Sequence, residues 1–258
     1  MLTDVSRADA RRFLAHLEGE GYKRISIKKM LDFMKALTTF SVRAFELTLA
    51  NPWLGLKAGE VAEQAKEKSF TYEQVRLLLS KTDSINDELA EITRVLPNTG
   101  ARLAEISGLE VRDFDPKGRT INIRPNGVRS VKTKASIRVV PVVDPAALQA
   151  VASRCKGRQP DDPIWPRYGH SDRGSDAASA TLGKWLKTMG FRSIHGLRHT
   201  VKDALREVGV QRDVANMIQG HTAGDVASQY GSSELVEVKR EALTKVWSLI
   251  LGRRDGIR

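Results

Sequence analysis

The 258-residue chain is 41% hydrophobic, which allows one large or two modest globular domains and excludes a chain disordered by composition. Its 42 Lys and Arg against 31 Asp and Glu give a net charge of +11, which favours a polyanionic partner, nucleic acid foremost. Without an apolar run near the roughly 20 residues that span a bilayer, and without a signal-peptide core, we expect no membrane partner and a cytoplasmic, nucleoid-associated location.

Two amphipathic helices are predicted at the start of the chain. The first begins at the capping residue Ser6 and ends at a pair of glycines. The second keeps helical spacing of its apolar residues from Ser26 until NPW stops it at Pro52. We predict a helical domain over residues 1–56 and a linker over residues 57–69, where KAGEVAEQAKEKS offers little to bury.

Residues 70–258 are predicted to form a second domain of helices around a small sheet. Thr71 and Gln74 have capping-box spacing, and a further helix, DELAEITRVL, precedes PNTG. The β-rich runs TINIRP and SIRVVPV, with DPKG and PNG as turns, predict a small antiparallel sheet. Helices follow, the last over residues 233–250, so the fold class is mainly α with a small antiparallel β-sheet (α+β).

Four separated motifs carry candidate functional residues. They are TGARLAEISGL, SVKTKASIRVVPV, SIHGLRHT and QGHTAGDVASQY. In the third, His195, Arg198 and His199 are spaced i, i+3, i+4 and project from one helix face. Each motif alone has an ordinary explanation, since an arginine can be solvated, hairpin lysines can protect an edge strand and a tyrosine can pack.

Together and in this order, the motifs closely resemble those of the tyrosine recombinase (phage integrase) family. That family has a TG.R..E...L box, a hairpin lysine before R..P, an H..RH box, and a GH followed nine residues on by the nucleophilic tyrosine. The resemblance implies a catalytic set and two supporting residues: Arg102, Lys132, His195, Arg198, His221 and Tyr230, supported by Glu105 and His199.

The resemblance also implies an architecture and an activity. A core-binding domain, within which this chain begins, and a catalytic domain would form a C-shaped clamp on double-stranded DNA. The expected activity is site-specific recombination or integration through a 3′-phosphotyrosine, as in phage or bacterial mobile elements, without a cofactor. The terminal helix would either pack on its own core or dock onto a neighbouring protomer, giving a homo-oligomer that is tetrameric on recombining DNA.

The residue types suit this chemistry. A tyrosine hydroxyl, with a reference pKa of about 10, must lose its proton, and the transition state carries charge on two phosphate oxygens. Arginine forks can hold that charge without a metal ion, and histidines can donate hydrogen bonds or accept the proton. A hairpin lysine would protonate the leaving 5′-hydroxyl; Lys132 is preferred, with Lys134 as the alternative because it follows two residues later on the same predicted strand.

Two other interpretations of these motifs are weaker. Zinc binding by His195 and His199 lacks the glutamate of HExxH, and Arg198 between them would oppose a metal, so we expect no metal site. The single Cys155 excludes an intramolecular disulfide and a cysteine-cluster zinc site. Residues 203–221 could instead form a helix-turn-helix of a non-catalytic DNA-binding regulator or accessory factor, which would have no use for Tyr230.

Overall fold

The computed structural model describes residues 4–59, 69–83, 85, 87–130, 133–221 and 232–253. The chain divides into two compact units, Met1–Lys66 and Glu67–Arg258. The described residues form helices and one small antiparallel sheet, which confirms the predicted fold class. In this part of the chain, no helix is long and apolar enough to cross a membrane.

The first unit contains helices α1 (Arg7–Gly19) and α2 (Arg24–Ala44). Ser6 caps α1 as predicted, because its hydroxyl accepts the Asp9 N–H while the Asp9 carboxylate accepts the Ser6 N–H at 2.9 Å. The buried apolar residues of this unit form a separate small core: Ala10, Leu17, Ile27, Leu31, Trp53 and Leu56.

Helix α2 differs from the prediction at both of its ends. It starts at Arg24, before Ser26, and it ends at Ala44 rather than near Pro52. The chain turns back after α2, which lets Trp53 bury its ring edge-on to Phe13 with centroids 5.7 Å apart. A continuous helix would have carried Trp53 away from that core, so tertiary packing overrides the local helical pattern.

The second unit contains nine helices among its described residues, three strands and two short 3₁₀ turns, Val111–Asp113 and Lys134–Ser136. The strands pair antiparallel in the order β1-β2-β3, with Ile121 opposite Val140. The predicted capping box is confirmed, since the Thr71 N–H donates to Gln74 Oε1 at 2.9 Å. The elements are α3 (Tyr72–Asp83), α4 (Glu88–Thr99), α5 (Leu103–Ser107), β1 (Phe114–Asp115), β2 (Thr120–Ile123), β3 (Arg138–Pro141), α6 (Pro145–Cys155), α7 (Pro166–Gly169), α8 (Gly174–Thr188), α9 (His195–Glu207), α10 (Arg212–Gln219) and α11 (Ser232–Leu251).

Helix α4 is buried along most of its length and packs against α3, α6 and α9. It continues through Pro97 to Thr99, three residues beyond the predicted end, although Pro97 has no N–H to donate to the Thr93 carbonyl. Gly100 ends α4 in the left-handed conformation (φ 60°). A Cβ at Gly100 would lie 2.9 Å from the side chain of Val201, so α4 and α9 meet closely at this point.

Helix α11 packs its apolar face against its own unit, on β3, α3 and α9. Leu243, Val246 and Ile250 are fully buried there. The buried Lys239 ammonium donates to the Val139 carbonyl of β3. Of the two arrangements expected for the terminal helix, packing on its own core is therefore present in this structure.

The segment that enters α3 is held on one face of α9. Thr200 Oγ1 accepts the Phe70 N–H at 2.8 Å and lies 2.9 Å from the Phe70 carbonyl, to which it donates. The Tyr72 hydroxyl donates to Glu207 at 2.6 Å, about two turns further along α9 than Thr200. These contacts tie the start of the second unit to the helix that carries His195 at its first residue.

We predict that Thr200→Val lowers the free energy of unfolding by about 1–3 kcal/mol, because the buried Phe70 N–H loses its acceptor. Urea unfolding measures this, with Thr244→Val as the control, since the exposed Thr244 hydroxyl donates to the Arg240 carbonyl within α11. Equal stability losses in the two variants would contradict the prediction.

Candidate active site

The buried carboxylate of Glu105 accepts hydrogen bonds from two arginines of the site. Arg102 is the N-cap of α5, and Glu105 at the third helical position reaches back to it. The carboxylate accepts the Arg102 N–H at 2.8 Å and the Arg102 guanidinium Nη1 at 2.8 Å. The geometry of a helix start therefore fixes the pair that the TGARLAE motif predicted.

Arg138 of β3 approaches the same carboxylate from the other side. Its Nη2 donates to Glu105 Oε2 at 2.8 Å and its Nη1 lies 3.3 Å from Oε1, with both side chains buried. Burial alone would raise the pKa of Glu105. The hydrogen bonds and charge of Arg138, together with the hydrogen bonds from Arg102, hold that pKa at about 2. Glu105 is therefore ionised at neutral pH.

Arg198 on α9 is buried and bonded to the ends of two other helices. Its Nη1 donates to the Gly100 carbonyl at 2.7 Å, and its Nη2 donates to the Gln219 carbonyl at the end of α10. Such terminal carbonyls have no partner within their own helix. Burial, then the charge of Arg102, lowers the pKa of Arg198 to about 10, so the guanidinium stays protonated at neutral pH.

His221 lies beside Arg198, immediately after α10. Gly220 ends α10 with φ 64°, and His221 Nε2 is 3.1 Å from Arg198 Nη2. Because a guanidinium only donates, Nε2 must accept, and the neutral imidazole carries its proton on Nδ1. Burial, then the charges of Arg198 and Arg102, lowers the pKa of His221.

His195 is the first residue of α9, and its ring stands edge-on to that of His199, with centroids 4.9 Å apart. Partial burial, then the charges of His199, Arg198 and Arg102, lowers the pKa of His195. The His199 side chain is half-buried rather than part of the core, and its supporting role stays a prediction. The i, i+4 spacing near the exposed start of α9 places it against His195 instead.

Two predicted site residues, Lys132 and Tyr230, lie outside the described residues. Lys134 is described and exposed, but it begins a 3₁₀ turn, Lys134–Ser136, rather than continuing a strand. Lys134 therefore does not lie on the predicted strand, because β3 starts only at Arg138 and the turn is stabilised by a contact of 3.2 Å between the Thr133 and Ser136 hydroxyls.

The sequence interpretation missed two buried polar residues. Arg138 is the arginine of the R..P pattern, and an arginine in an apolar strand is a signal that it has a buried partner. Gln219 gave no signal beyond its place before GH; its Nε2 donates to the Arg198 carbonyl at 3.1 Å, so α9 and α10 bond reciprocally.

The charges of the site suit an anionic ligand. Arg102, Arg138 and Arg198 oppose the carboxylate of Glu105, which leaves an excess of two positive charges among these four side chains. The Arg102 side chain is 29% exposed whereas that of Arg138 is 4% exposed, so Arg102 lies on the accessible side. A cavity of about 220 Å³ opens beside His195 and Arg198. Among the described residues, no group of three or more His, Cys, Asp or Glu is arranged to hold a metal ion.

Residues 68–235 match the family model described as the phage integrase family. The chain belongs to this family, the tyrosine-type site-specific DNA recombinases. Tyrosine recombinase XerA of Pyrococcus furiosus is 26% identical over 223 residues, covering 83% of this chain and 72% of the relative. Tyrosine recombinase XerD of Rhizobium meliloti is 25% identical over 242 residues, covering 86% and 74%.

Two solved structures show the same fold. The Tn1549 transposon integrase in complex with a circular intermediate DNA aligns with a TM-score of 0.67 at 17% identity, covering 92% of this chain and 81% of the integrase. A lambda integrase tetramer bound to a Holliday junction aligns at 0.64 and 16% identity, covering 86% and 66%. Family and fold together favour a recombinase over the non-catalytic regulator suggested by residues 203–221.

We predict that the stability contributed by Glu105 is lost in acid. A carboxylate with a lowered pKa stabilises the fold above its ordinary value of 4.5, and this contribution disappears as the pH falls towards about 2. The shift corresponds to about 3 kcal/mol. Urea unfolding of wild type and Glu105→Gln should therefore differ most near pH 7 and converge near pH 2.

The matched control is Glu237→Gln, which removes an exposed ion pair with Arg240 and should change stability by less than about 1 kcal/mol. A difference between wild type and Glu105→Gln that stayed constant from neutral to acid pH would show that the charge of Glu105 does not stabilise the site.

Proposed function

We propose that the chain cleaves and rejoins DNA strands with Tyr230 as the nucleophile. The Tyr230 oxygen forms a bond to the scissile phosphorus while the bond to the 5′ oxygen breaks, leaving a 3′-phosphotyrosine and a free 5′-hydroxyl. The 5′-hydroxyl of the partner strand then reverses the step. Each step exchanges one phosphodiester for another, so no ATP is needed. The observation that carries this proposal is the convergence of Arg102, Arg198 and two histidines on one cationic site.

In this proposal the arginines hold the phosphate. Arg198 is oriented by the Gly100 and Gln219 carbonyls, and Arg102 by Glu105, so both guanidiniums are preorganised before DNA binds. Preorganised charge in a partly buried site stabilises the transition state more than the same charge in water. The forked donors of arginine match two phosphate oxygens.

The histidines and the hairpin lysine move protons. The lowered pKa values of His195 and His221 keep both imidazoles largely neutral near pH 7, so His195 can accept the tyrosine proton or donate to a phosphate oxygen. His221 can donate from Nδ1, and it can accept the tyrosine proton at Nε2 once that atom leaves Arg198. Lys132 would protonate the leaving 5′ oxygen. Lys134 remains the alternative; its exposure is compatible with that role.

Double-stranded DNA is the proposed partner, which the charge of +11 supports. Residues 1–56 would bind the core site, residues 57–69 would serve as the linker, and residues 70–258 would carry the chemistry, in the cytoplasm at the nucleoid. A homo-oligomer, tetrameric on recombining DNA, is proposed with contacts through the terminal helix. Because the apolar face of α11 is already buried, such contacts would use its outer face or require its release.

A nicked suicide duplex tests this proposal, carrying a site recovered by sequencing DNA bound to the protein. We predict a covalent protein–DNA adduct with wild type and none with Tyr230→Phe, measured by denaturing gel electrophoresis. The control Tyr22→Phe removes the hydroxyl of an exposed tyrosine that is not the proposed nucleophile, and this variant should still form the adduct. Binding without any adduct in wild type would instead support the non-catalytic regulator.

A further inference from the structure

Arg138 has more hydrogen-bond partners than its place on a short strand requires. Besides the two Glu105 oxygens, its Nε donates to the Ile218 carbonyl at 2.7 Å and its Nη1 to the Ser136 carbonyl at 2.8 Å. Its side chain is 4% exposed against 29% for that of Arg102, so Arg138 lies deeper than Arg102 on the shared carboxylate. A buried guanidinium that joins three elements is suited to set their relative positions.

We propose that Arg138 is a positioning residue for strand cleavage, which places Arg102 through Glu105 and His221 through the end of α10. This inference rests on the proposed function and deepens it. Arg138 does not touch the phosphate in this account. It acts on two groups that lie on the accessible side.

The first route runs through Glu105. A buried carboxylate is costly unless it is paired and hydrogen-bonded, and Arg138 supplies two of the contacts to it. The charged and titratable groups around Glu105 and Arg138 are Arg102, Arg198, His221 and, from α11, Lys239. Without Arg138, burial would favour the protonated carboxyl, which holds the Arg102 guanidinium less strongly than a carboxylate does.

The second route runs through α10. The Ile218 carbonyl lies in the last turn of that helix, where no helical N–H is available to it. It accepts a hydrogen bond from Arg138 Nε instead. Gly220 follows so closely that a Cβ there would lie 2.6 Å from Arg138 Nη1. Gly220, which ends α10, therefore packs against the Arg138 guanidinium, and His221 is the residue after Gly220. A lysine could keep the charge near Glu105, but a single ammonium cannot reproduce this fork.

The test measures the rate of adduct formation by the full chain from pH 5 to pH 8. Arg138→Met should react about 100-fold more slowly at neutral pH, the scale expected for a displacement of about 1 Å. Its rate should also fall more steeply in acid than that of wild type, because the substitution raises the pKa of Glu105. Arg138→Lys should remain slow without that acid loss, because it keeps a charge beside Glu105 but not the bond to α10. Adding Glu105→Gln to Arg138→Met should remove the acid loss.

The control is Arg206→Met, which removes an exposed arginine of α9 paired at the surface with Asp203 and should keep the wild-type pH profile. A wild-type rate and profile in Arg138→Met would overturn the proposal. So would an acid loss greater than that of wild type that persists in the double variant, since a purely structural defect does not depend on Glu105. If Arg138→Met does not fold, Arg138→Lys decides, and a wild-type rate in that variant overturns the second route.

A readout without catalysis separates this inference from the proposed function. In ¹³C-labelled protein, NMR should show the Glu105 carboxyl titrating at higher pH in Arg138→Met than in wild type. An unchanged titration would overturn the first route even if wild type forms the adduct. A wild type that forms no adduct would overturn the proposed function, whatever the titration shows.

Discussion

The contacts of Glu105 with Arg102 and Arg138 are the interaction on which the rest of the site depends. They join the start of α5 to β3, two elements more than thirty residues apart in sequence. A carboxylate removed from water requires such partners, and two guanidiniums so close to each other require a carboxylate between them. Fold and site are therefore coupled, because one carboxylate holds both Arg102 of the site and Arg138 of the sheet.

Helix ends supply the remaining constraints. The carbonyls that end α4 and α10 accept from Arg198, and those ends meet because α4 is buried and packs on α9 at Gly100. The starts of α5 and α9 provide Arg102 and His195. Groups that a helix leaves unpaired at its ends are thus used to orient the cationic side chains. The positive charge that Glu105 does not compensate is available to an anion.

Local rules predicted part of this structure well. The caps at Ser6 and Thr71 depend on neighbouring residues alone, and both are confirmed. The motifs correctly brought Arg102, His195, Arg198 and His221 to one place, although their catalytic roles stay predictions. The motifs predict this proximity because each one places a residue type suited to phosphate chemistry at a fixed position in the sequence.

The rest depended on contacts that no local pattern contains. The end of α2 is set by the burial of Trp53 against Phe13, and the environment of Lys134 by a turn before β3. Arg138 and Gln219 donate to backbone carbonyls of distant segments. Every residue has a backbone carbonyl, so the sequence does not indicate which one accepts.

A crystal structure of the covalent complex, trapped on a nicked duplex, tests the central claim most directly. The account predicts a phosphate joined to Tyr230, with Arg102 and Arg198 within hydrogen-bonding distance of its oxygens and Arg138 still bonded to Glu105 behind them. A phosphate bound by Arg138, or one attached to another residue with Arg102 and Arg198 directed away, would contradict it.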